Sequence, residues 1–136
     1  MKKLEKYNRI TESIIRSAIK VHKALGPGLL ESSYKECLYY ELKKSGLKVV
    51  KEKPLPLIYE EVTLECGYRI DLFVEDCIVV ETKSIDALND IHTAQVLTYM
   101  KLSNSRVGLL INFNVLRLVD GVKRLLNKYY QEGAYA

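Results

Sequence analysis

The chain carries two hydrophobic patterns, one typical of helices and one typical of strands. Apolar residues recur at three- and four-residue steps in three stretches, which is the spacing of an amphipathic helix. This pattern predicts helices over residues 5–24, 29–44 and 87–102. The Gly-Pro-Gly segment at 26–28 separates the first two helices. A short basic helix is also predicted over 121–130.

Strands are predicted where short runs of apolar and β-branched residues lie between turn-forming residues. These runs lie at 47–50, 57–59, 62–64, 67–74, 78–83, 107–111 and 115–119. The stretch 107–111 is almost wholly apolar, which indicates a buried strand. The Lys-Pro-Leu-Pro segment at 53–56 favours an edge or extended conformation, because proline cannot donate to a ladder.

The order of these elements predicts a mixed β-sheet with helices on its faces. Helix 87–102 connects strands 78–83 and 107–111, so these two strands should be parallel and joined by a right-handed crossover. Only a tight turn separates strands 67–74 and 78–83, so they should be antiparallel. The fold class is therefore α/β. Because domains cluster near ~100–150 residues, we expect one domain over 1–136.

Composition places the chain among ordinary globular proteins and excludes disordered and collagen-like classes, with 48% hydrophobic and 28% charged residues. Cys37, Cys66 and Cys77 cannot all pair within one chain and show no CxxC spacing. We expect reduced thiols in a cytoplasmic protein, and neither a disulfide framework nor a zinc site. No stretch approaches the ~18 apolar residues of a membrane span, and no apolar run follows the basic N-terminus, so neither a membrane segment nor a signal peptide is expected.

Charge is distributed unevenly although the net charge is only +4. Residues 59–90 contain nine acids and two bases, Arg69 and Lys83, while the other 19 bases lie outside this segment with eight acids. An acidic centre between basic flanks indicates either a metal centre beside a surface that binds a polyanion or an ordinary solvated surface of mixed charge. The direction in which the acids point decides between them.

The register of the predicted hairpin determines where Asp71 and Glu81 point. Alternate residues of a strand face opposite sides of a sheet. A three-residue turn at 75–77 would place Asp71 opposite Glu81, on one face with Lys83. A two-residue turn would place Asp71 opposite Val80 and scatter these side chains. The apolar face of the first strand is expected to consist of Tyr68, Ile70, Leu72 and Val74.

Polar residues also interrupt the apolar faces of two predicted helices. Glu31 lies within the stripe formed by Tyr34 and its neighbours, where an acid is costly unless it is paired or coordinates a ligand. Its position in the first turn also suits the helix dipole, so a salt bridge or a rim position is the structural alternative. Gln95 and Tyr99 lie one turn apart and need hydrogen-bond partners, from the sheet or from a ligand. His92 lies near the same face and is a candidate for substrate binding or support of the site, although a packed or surface role is commoner there than a catalytic one.

Two carboxylates and a lysine on one face of a sheet have a recognisable chemistry. Carboxylates are hard oxygen ligands that suit Mg²⁺ or Mn²⁺, and such an ion polarises a phosphodiester and acidifies a bound water. Lys83 could hold or help deprotonate the attacking water and stabilise the negative charge of the pentavalent phosphorane. The E-x-K spacing alone is weak, because 41–43 matches it on a helix. The strand context and Asp71 distinguish the two matches.

Four short motifs together resemble a known family. The segment 28–34, GLLESSY, resembles the signature of the GxxExxY protein family. Asp71 followed by ETK at 81–83 resembles the D…(D/E)xK core of the PD-(D/E)XK nuclease superfamily, to which that family is assigned. QVLTY at 95–99 resembles its QxxxY element, and GLLINF at 108–113 resembles the family's following strand. The resemblance implies a restriction-endonuclease-like three-layer core, with a mixed β-sheet flanked by helices.

The resemblance also implies a role for each matched residue. The implied metal ligands are Asp71, Glu81, Glu31 and the backbone carbonyl of Thr82. Lys83 would position the nucleophilic water, Gln95 would orient the site, and Tyr99 would support it or stack on substrate. Gly28 is expected to form a tight turn, and Tyr34 to pack over Glu31.

These roles predict a Mg²⁺- or Mn²⁺-dependent nuclease that acts on nucleic acid, with basic flanks to hold phosphates. The alternative is a non-catalytic module with a nuclease-like fold that binds nucleic acid or protein, because the superfamily includes inactive members. A minimal domain of this kind can also work beside a protein partner or as a homo-oligomer.

Overall fold

A five-stranded mixed sheet and three helices dominate the computed structural model, which describes residues 2–133, with side chains from residue 4 onward. The helices are α1 (Lys2–Leu25), α2 (Glu31–Lys44) and α3 (Asp90–Leu102). The strands are β1 (Val49–Pro54), β2 (Leu57–Tyr59), β3 (Val62–Leu64), β4 (Arg69–Val74), β5 (Ile78–Lys83), β6 (Val107–Asn112) and β7 (Val122–Leu126). The main sheet has the order β1-β4-β5-β6-β7, while β2 and β3 form a separate hairpin.

The sheet is mixed as predicted. Strands β5 and β6 are parallel and joined through α3, and the other neighbouring pairs are antiparallel. Val74 pairs with Ile78, which confirms the three-residue turn at 75–77. Strand β1 forms one edge and carries Lys51, Lys53 and Pro54, residues that discourage pairing with another chain.

Helices cover both faces of the sheet, so the core has three layers. On one face α1 and α2 bury residues spaced by three or four, such as Ile14, Ala18 and Leu38, against Leu72 and Val80. On the other face α3 packs against the sheet with a second apolar cluster, which includes Phe73, Val79, Val96, Met100 and Leu110. Full burial of each large apolar side chain contributes ~1.5–3 kcal/mol. Within residues 2–133 no helix combines the length and apolar character needed to cross a bilayer.

The predicted strand 115–119 and the predicted helix 121–130 are both wrong. Leu118–Gly121 forms a short 3-10 turn, and Val122–Leu126 forms strand β7. The apolar spacing in this segment is compatible with a helix, but the open edge of β6 needs a hydrogen-bonding partner. Strand β7 supplies that partner and buries Leu125 against the α3 side of the sheet.

The predicted apolar face of β4 is correct for Leu72 and Val74 but wrong for Ile70, which packs on the opposite face with Phe73. The strand changes its alternation at Asp71. The pairing of β1 with β4 omits the position where Glu52 would face Asp71, and Glu52 has a positive φ of 53°. Pairing of β4 with β5 runs only from Val74 to Leu72. Asp71 therefore lies in a gap in both ladders.

Candidate active site

Asp71 and Glu81 lie together at this gap, held by backbone groups of each other's strands. The Asp71 N–H donates to Glu81 Oε2 at 2.7 Å. Asp71 Oδ2 accepts from the Thr82 N–H at 2.9 Å and from the Thr82 hydroxyl at 3.1 Å. The carboxylates thus accept the backbone N–H groups that backbone carbonyls would accept in a regular ladder of two strands. These hydrogen bonds hold both acids in fixed positions.

The nearby lysines offset only part of the negative charge that the acids of the site can carry. Only 4% of Glu81 is exposed. Burial raises the pKa of Glu81 to about 8, and the negative charges of Asp71 and Glu31 add to this shift. The Asp71 N–H and Lys83 lower the pKa by less. Without a further cation, Glu81 is therefore largely protonated at neutral pH.

A divalent cation fits this donor set. One oxygen of Asp71 and one of Glu81 accept backbone hydrogen bonds, while no described residue donates to the second oxygen of either acid. These second oxygens are hard donors, which Mg²⁺ and Mn²⁺ prefer. Among residues 4–133, no three acidic, histidine or cysteine side chains form a ready metal cage. Further ligands would have to come from Glu31, the Thr82 carbonyl or water.

Glu31 is the first residue of α2 and is exposed, so its predicted position inside the apolar stripe is wrong. The helix begins at Glu31, and the buried stripe starts one turn later at Tyr34. Partial burial raises the pKa of Glu31, the charge of Asp71 raises it further, and the charges of Lys83 and Lys35 oppose the shift. Glu31 therefore shares the electrostatic field of the site from its rim.

The turn before α2 is tied to the end of β5. Gly28 has a φ of 96°, which favours glycine, as predicted for a tight turn. The buried Tyr34 hydroxyl donates to the Gly26 carbonyl and accepts the Leu29 N–H at 3.1 Å. The Tyr34 ring stacks on Phe113, with centroids 4.6 Å apart. The Ser84 hydroxyl donates to the Leu29 carbonyl at 2.6 Å, which holds the start of α2 beside Lys83.

We expect Tyr34→Phe to destabilise the protein by about 1–3 kcal/mol, because the Gly26 carbonyl and the Leu29 N–H lose a partner while the ring stays packed. Urea unfolding would measure the loss as a lower midpoint with an unchanged slope. Tyr40→Phe, at an exposed position of the same helix, is the matched control. Equal midpoints for the two variants would contradict this role of the hydroxyl.

Lys83 ends β5 and lies partly buried, on the same strand face as Glu81. Its charge acts on both Glu31 and Glu81. Buried Asn112, which sequence reasoning did not select, holds the chain just after Lys83. Its Oδ1 accepts the Ile85 N–H at 3.1 Å, and its Nδ2 donates to the Ile85 carbonyl at 3.0 Å. The sequence signal that could have pointed to Asn112 is an amide side chain at the end of an almost wholly apolar strand.

Gln95 and Tyr99 form a pair on the α3 side of the site. Gln95 Nε2 donates to the Tyr99 hydroxyl at 3.3 Å. Burial raises the pKa of Tyr99, and the charge of Glu81 is the next cause. Tyr99 therefore lies within electrostatic reach of the buried acid, and Gln95 contacts Tyr99.

His92 helps to cap the N-terminus of α3. Its Nδ1 accepts the Asn89 N–H at 3.0 Å, and Asn89 Oδ1 accepts the His92 N–H at 3.1 Å. This reciprocal pair is a capping box. No contact between described residues joins His92 to the acids, so its placement favours the structural alternative over substrate binding.

Lys35 is a further cation near the acids that sequence reasoning missed, although it lies one turn after Glu31. Its Nζ is 3.1 Å from Glu52 Oε1. Burial lowers the pKa of Lys35, but the hydrogen bond to Glu52 and the charge of Asp71 outweigh it, so the pKa is raised.

The basic flanks are less available to phosphates than their number suggested. Several lysines already contact acids within the chain, at 2.7–3.1 Å: Lys20 with Glu41, Lys48 with Asp76, and Lys51 with Glu36.

All three cysteines, Cys37, Cys66 and Cys77, are free, as expected.

A family model described as the PD-(D/E)XK nuclease superfamily matches residues 8–125. The match covers most of the chain and every residue of the site. No curated protein and no solved structure gives a significant match. The narrower resemblance to the GxxExxY family rests on the motif at 28–34.

Proposed function

Because this chain belongs to the PD-(D/E)XK nuclease superfamily, we propose that it is a metal-dependent nuclease that hydrolyses phosphodiester bonds of nucleic acid. The observation that carries the proposal is the pair of partly buried Asp71 and buried Glu81, fixed at the gap between two strands and only partly compensated by positive charge. A purely structural role would not require two acids at this position, since burying an ionisable carboxyl group is costly.

Asp71 and Glu81 would hold the metal, Mg²⁺ or Mn²⁺, with Glu31 and the Thr82 carbonyl as further ligands. When bound, the ion supplies positive charge that polarises the phosphodiester and acidifies water. The pKa of about 8 at Glu81 favours this assignment, because a cation would compensate the buried carboxylate.

Lys83 would donate a hydrogen bond to the attacking water and hold it opposite the leaving group. As the bond from water to phosphorus forms, the water would release a proton to solvent, and as the bond to the sugar oxygen breaks, that oxygen would take up a proton from solvent. The charge of Lys83 would offset the negative charge on the phosphoryl oxygens. Gln95, fixed by its contact with Tyr99, would orient the reacting groups. These assignments rest on the shared face of Glu81 and Lys83 and on the position of α3.

The test is a cleavage assay with labelled DNA and RNA in Mg²⁺ or Mn²⁺, with EDTA as the metal-free comparison. Asp71→Asn keeps an acceptor for Thr82 but removes the charge, and we expect cleavage to fall by about 10²–10³-fold, as for loss of other preorganised electrostatic groups. Asp76→Asn, in the exposed turn at the other end of β4, should cleave like wild type. Equal cleavage by wild type and Asp71→Asn would refute the proposed site.

The second candidate function is a non-catalytic module that binds nucleic acid or protein. The absence of a ready three-ligand cage among residues 4–133 favours it. Salt-dependent DNA binding that persists in Asp71→Ala, without cleavage by any variant, would support this alternative.

A further inference from the structure

A second aromatic ring stands beside Tyr99 in a position that sequence reasoning assigned to the apolar core. Tyr68 directly precedes β4, and 45% of its surface is exposed. Its ring centroid lies 6.3 Å from that of Tyr99, with the planes tilted by 59°. The backbone at Tyr68 is anchored, because its carbonyl accepts the N–H of buried Leu55 at 2.8 Å.

The two rings line a groove of about 190 Å³ between α3 and the start of the β2–β3 hairpin. Its other lining residues are Leu57, Gln95, Thr98 and Leu102. None of the six carries a charge at neutral pH, and four of them offer side-chain hydrogen-bonding groups: Gln95, Thr98 and the two tyrosines. The walls are therefore aromatic and aliphatic, with polar groups placed among them.

The groove adjoins the candidate active site. Tyr68 lies three residues before Asp71, which is about 10 Å along an extended strand. Tyr99 lines the groove and lies within electrostatic reach of Glu81, and Gln95, which also lines the groove, donates to the Tyr99 hydroxyl. A ligand that fills the groove would therefore place its adjoining groups near Asp71, Glu81 and Lys83.

We infer that this groove is a nucleobase subsite with Tyr68 as its stacking platform, and that the substrate is single-stranded or locally unpaired nucleic acid. The inference rests on the proposed function of the neighbouring acids. A base has flat apolar faces and a polar edge, which match one aromatic platform with nearby amide and hydroxyl groups. Its phosphates would lie outside the uncharged groove, toward Lys83.

The substrate is inferred to be unpaired because stacking on Tyr68 requires an exposed face of the base. A base within a duplex is stacked on its neighbours, so a tyrosine can reach its face only after the base is unpaired or flipped. The groove is also smaller than the ~300–1,000 Å³ of clefts for drug-sized ligands. It suits one ring better than a peptide segment.

Binding of short fluorescent oligonucleotides to the full chain in EDTA tests the platform without cleavage. We expect Tyr68→Ala to weaken binding of single-stranded DNA or RNA about 5- to 150-fold, the range for loss of one base–aromatic stack. Tyr68→Phe should bind like wild type. Tyr40→Ala, which removes a 62% exposed tyrosine from α2, should have no effect. Wild-type affinity in Tyr68→Ala, or equal affinity of wild type for a matched duplex, would overturn the inference.

A second readout does not depend on affinity. The chain contains no tryptophan, so Tyr68→Trp introduces a unique indole at the platform. Single-stranded oligonucleotides should quench its fluorescence, whereas abasic strands with the same number of phosphates should not. Equal quenching by abasic strands would refute base stacking.

Failure of this inference can be distinguished from failure of the nuclease proposal. Base-dependent quenching without cleavage by wild type in Mg²⁺ or Mn²⁺ would refute the nuclease and retain the base subsite. Metal-dependent cleavage with wild-type binding by Tyr68→Ala would retain the nuclease and refute the subsite.

Discussion

Replacing Lys83 with alanine is expected to lower the rate of phosphodiester cleavage by about 10²–10⁴-fold, the range for loss of a positioned proton-transfer or electrostatic group. The side chain lies partly buried at the end of β5, and its charge acts on Glu31 and Glu81. The Lys83 backbone carbonyl accepts the N–H of Phe113, the residue after β6, at 2.9 Å. This contact does not need the lysine side chain. The variant should therefore stay folded.

Single-turnover cleavage measures this loss, and a metal titration checks the ligands separately. Removing a positive charge beside two carboxylates should not weaken binding of a divalent cation, so Lys83→Ala should still bind metal. Lys48→Ala is the matched control, since Lys48 is an exposed lysine that pairs with Asp76 at the far end of the hairpin. Equal cleavage rates for the two variants would show that Lys83 does not take part in the reaction.

The second large effect concerns the stability of the metal-free protein. The folded state raises the pKa of Glu81 from 4.5 to about 8, mainly by burial. Between these pH values the folded protein keeps a proton that the unfolded chain releases. The unfolded state therefore binds fewer protons, and the free energy of unfolding falls as pH rises through this window.

We expect the fall to reach a few kcal/mol, because a tenfold change in an acidity constant corresponds to about 1.4 kcal/mol. Glu81→Gln should remove most of this pH dependence and be more stable than wild type above pH 8, since a neutral amide can still accept the Asp71 N–H. Urea unfolding in EDTA over this window measures it. Glu61→Gln in the exposed hairpin tip should retain the wild-type slope. A flat profile for wild type would contradict the burial argument.

Local spacing predicted the hairpin that holds the acids, but it left the register open between a two-residue and a three-residue turn. A three-residue turn at 75–77 determines which residues of β4 and β5 lie opposite each other, and short turns leave few alternatives. The helix between β5 and β6 likewise requires a crossover, which makes those strands parallel. Of these two features, the three-residue turn is the one that brings Asp71 beside Glu81.

Features that depend on distant parts of the chain escaped prediction. Strand β7 forms because β6 offers an open edge, and the spacing within 122–126 does not reveal that edge. Tyr68 faces α3 because the ladders open at Asp71, which shifts the alternation of β4. The nearness of Lys35 to the acids depends on the same gap, where Glu52 adopts a left-handed conformation and contacts Lys35. Strict alternation cannot anticipate such an interruption.

The gap at Asp71 has a consequence for how this protein can change in evolution. Two backbone N–H groups, those of Asp71 and Thr82, have the carboxylates as acceptors. A descendant that exchanged both acids for apolar residues would leave these donors unpaired, at about 1–3 kcal/mol for each donor buried without a partner. Selection for folding alone would therefore favour polar acceptors at both positions, and a lineage could replace both with apolar residues without this cost only after the ladders between its strands had closed.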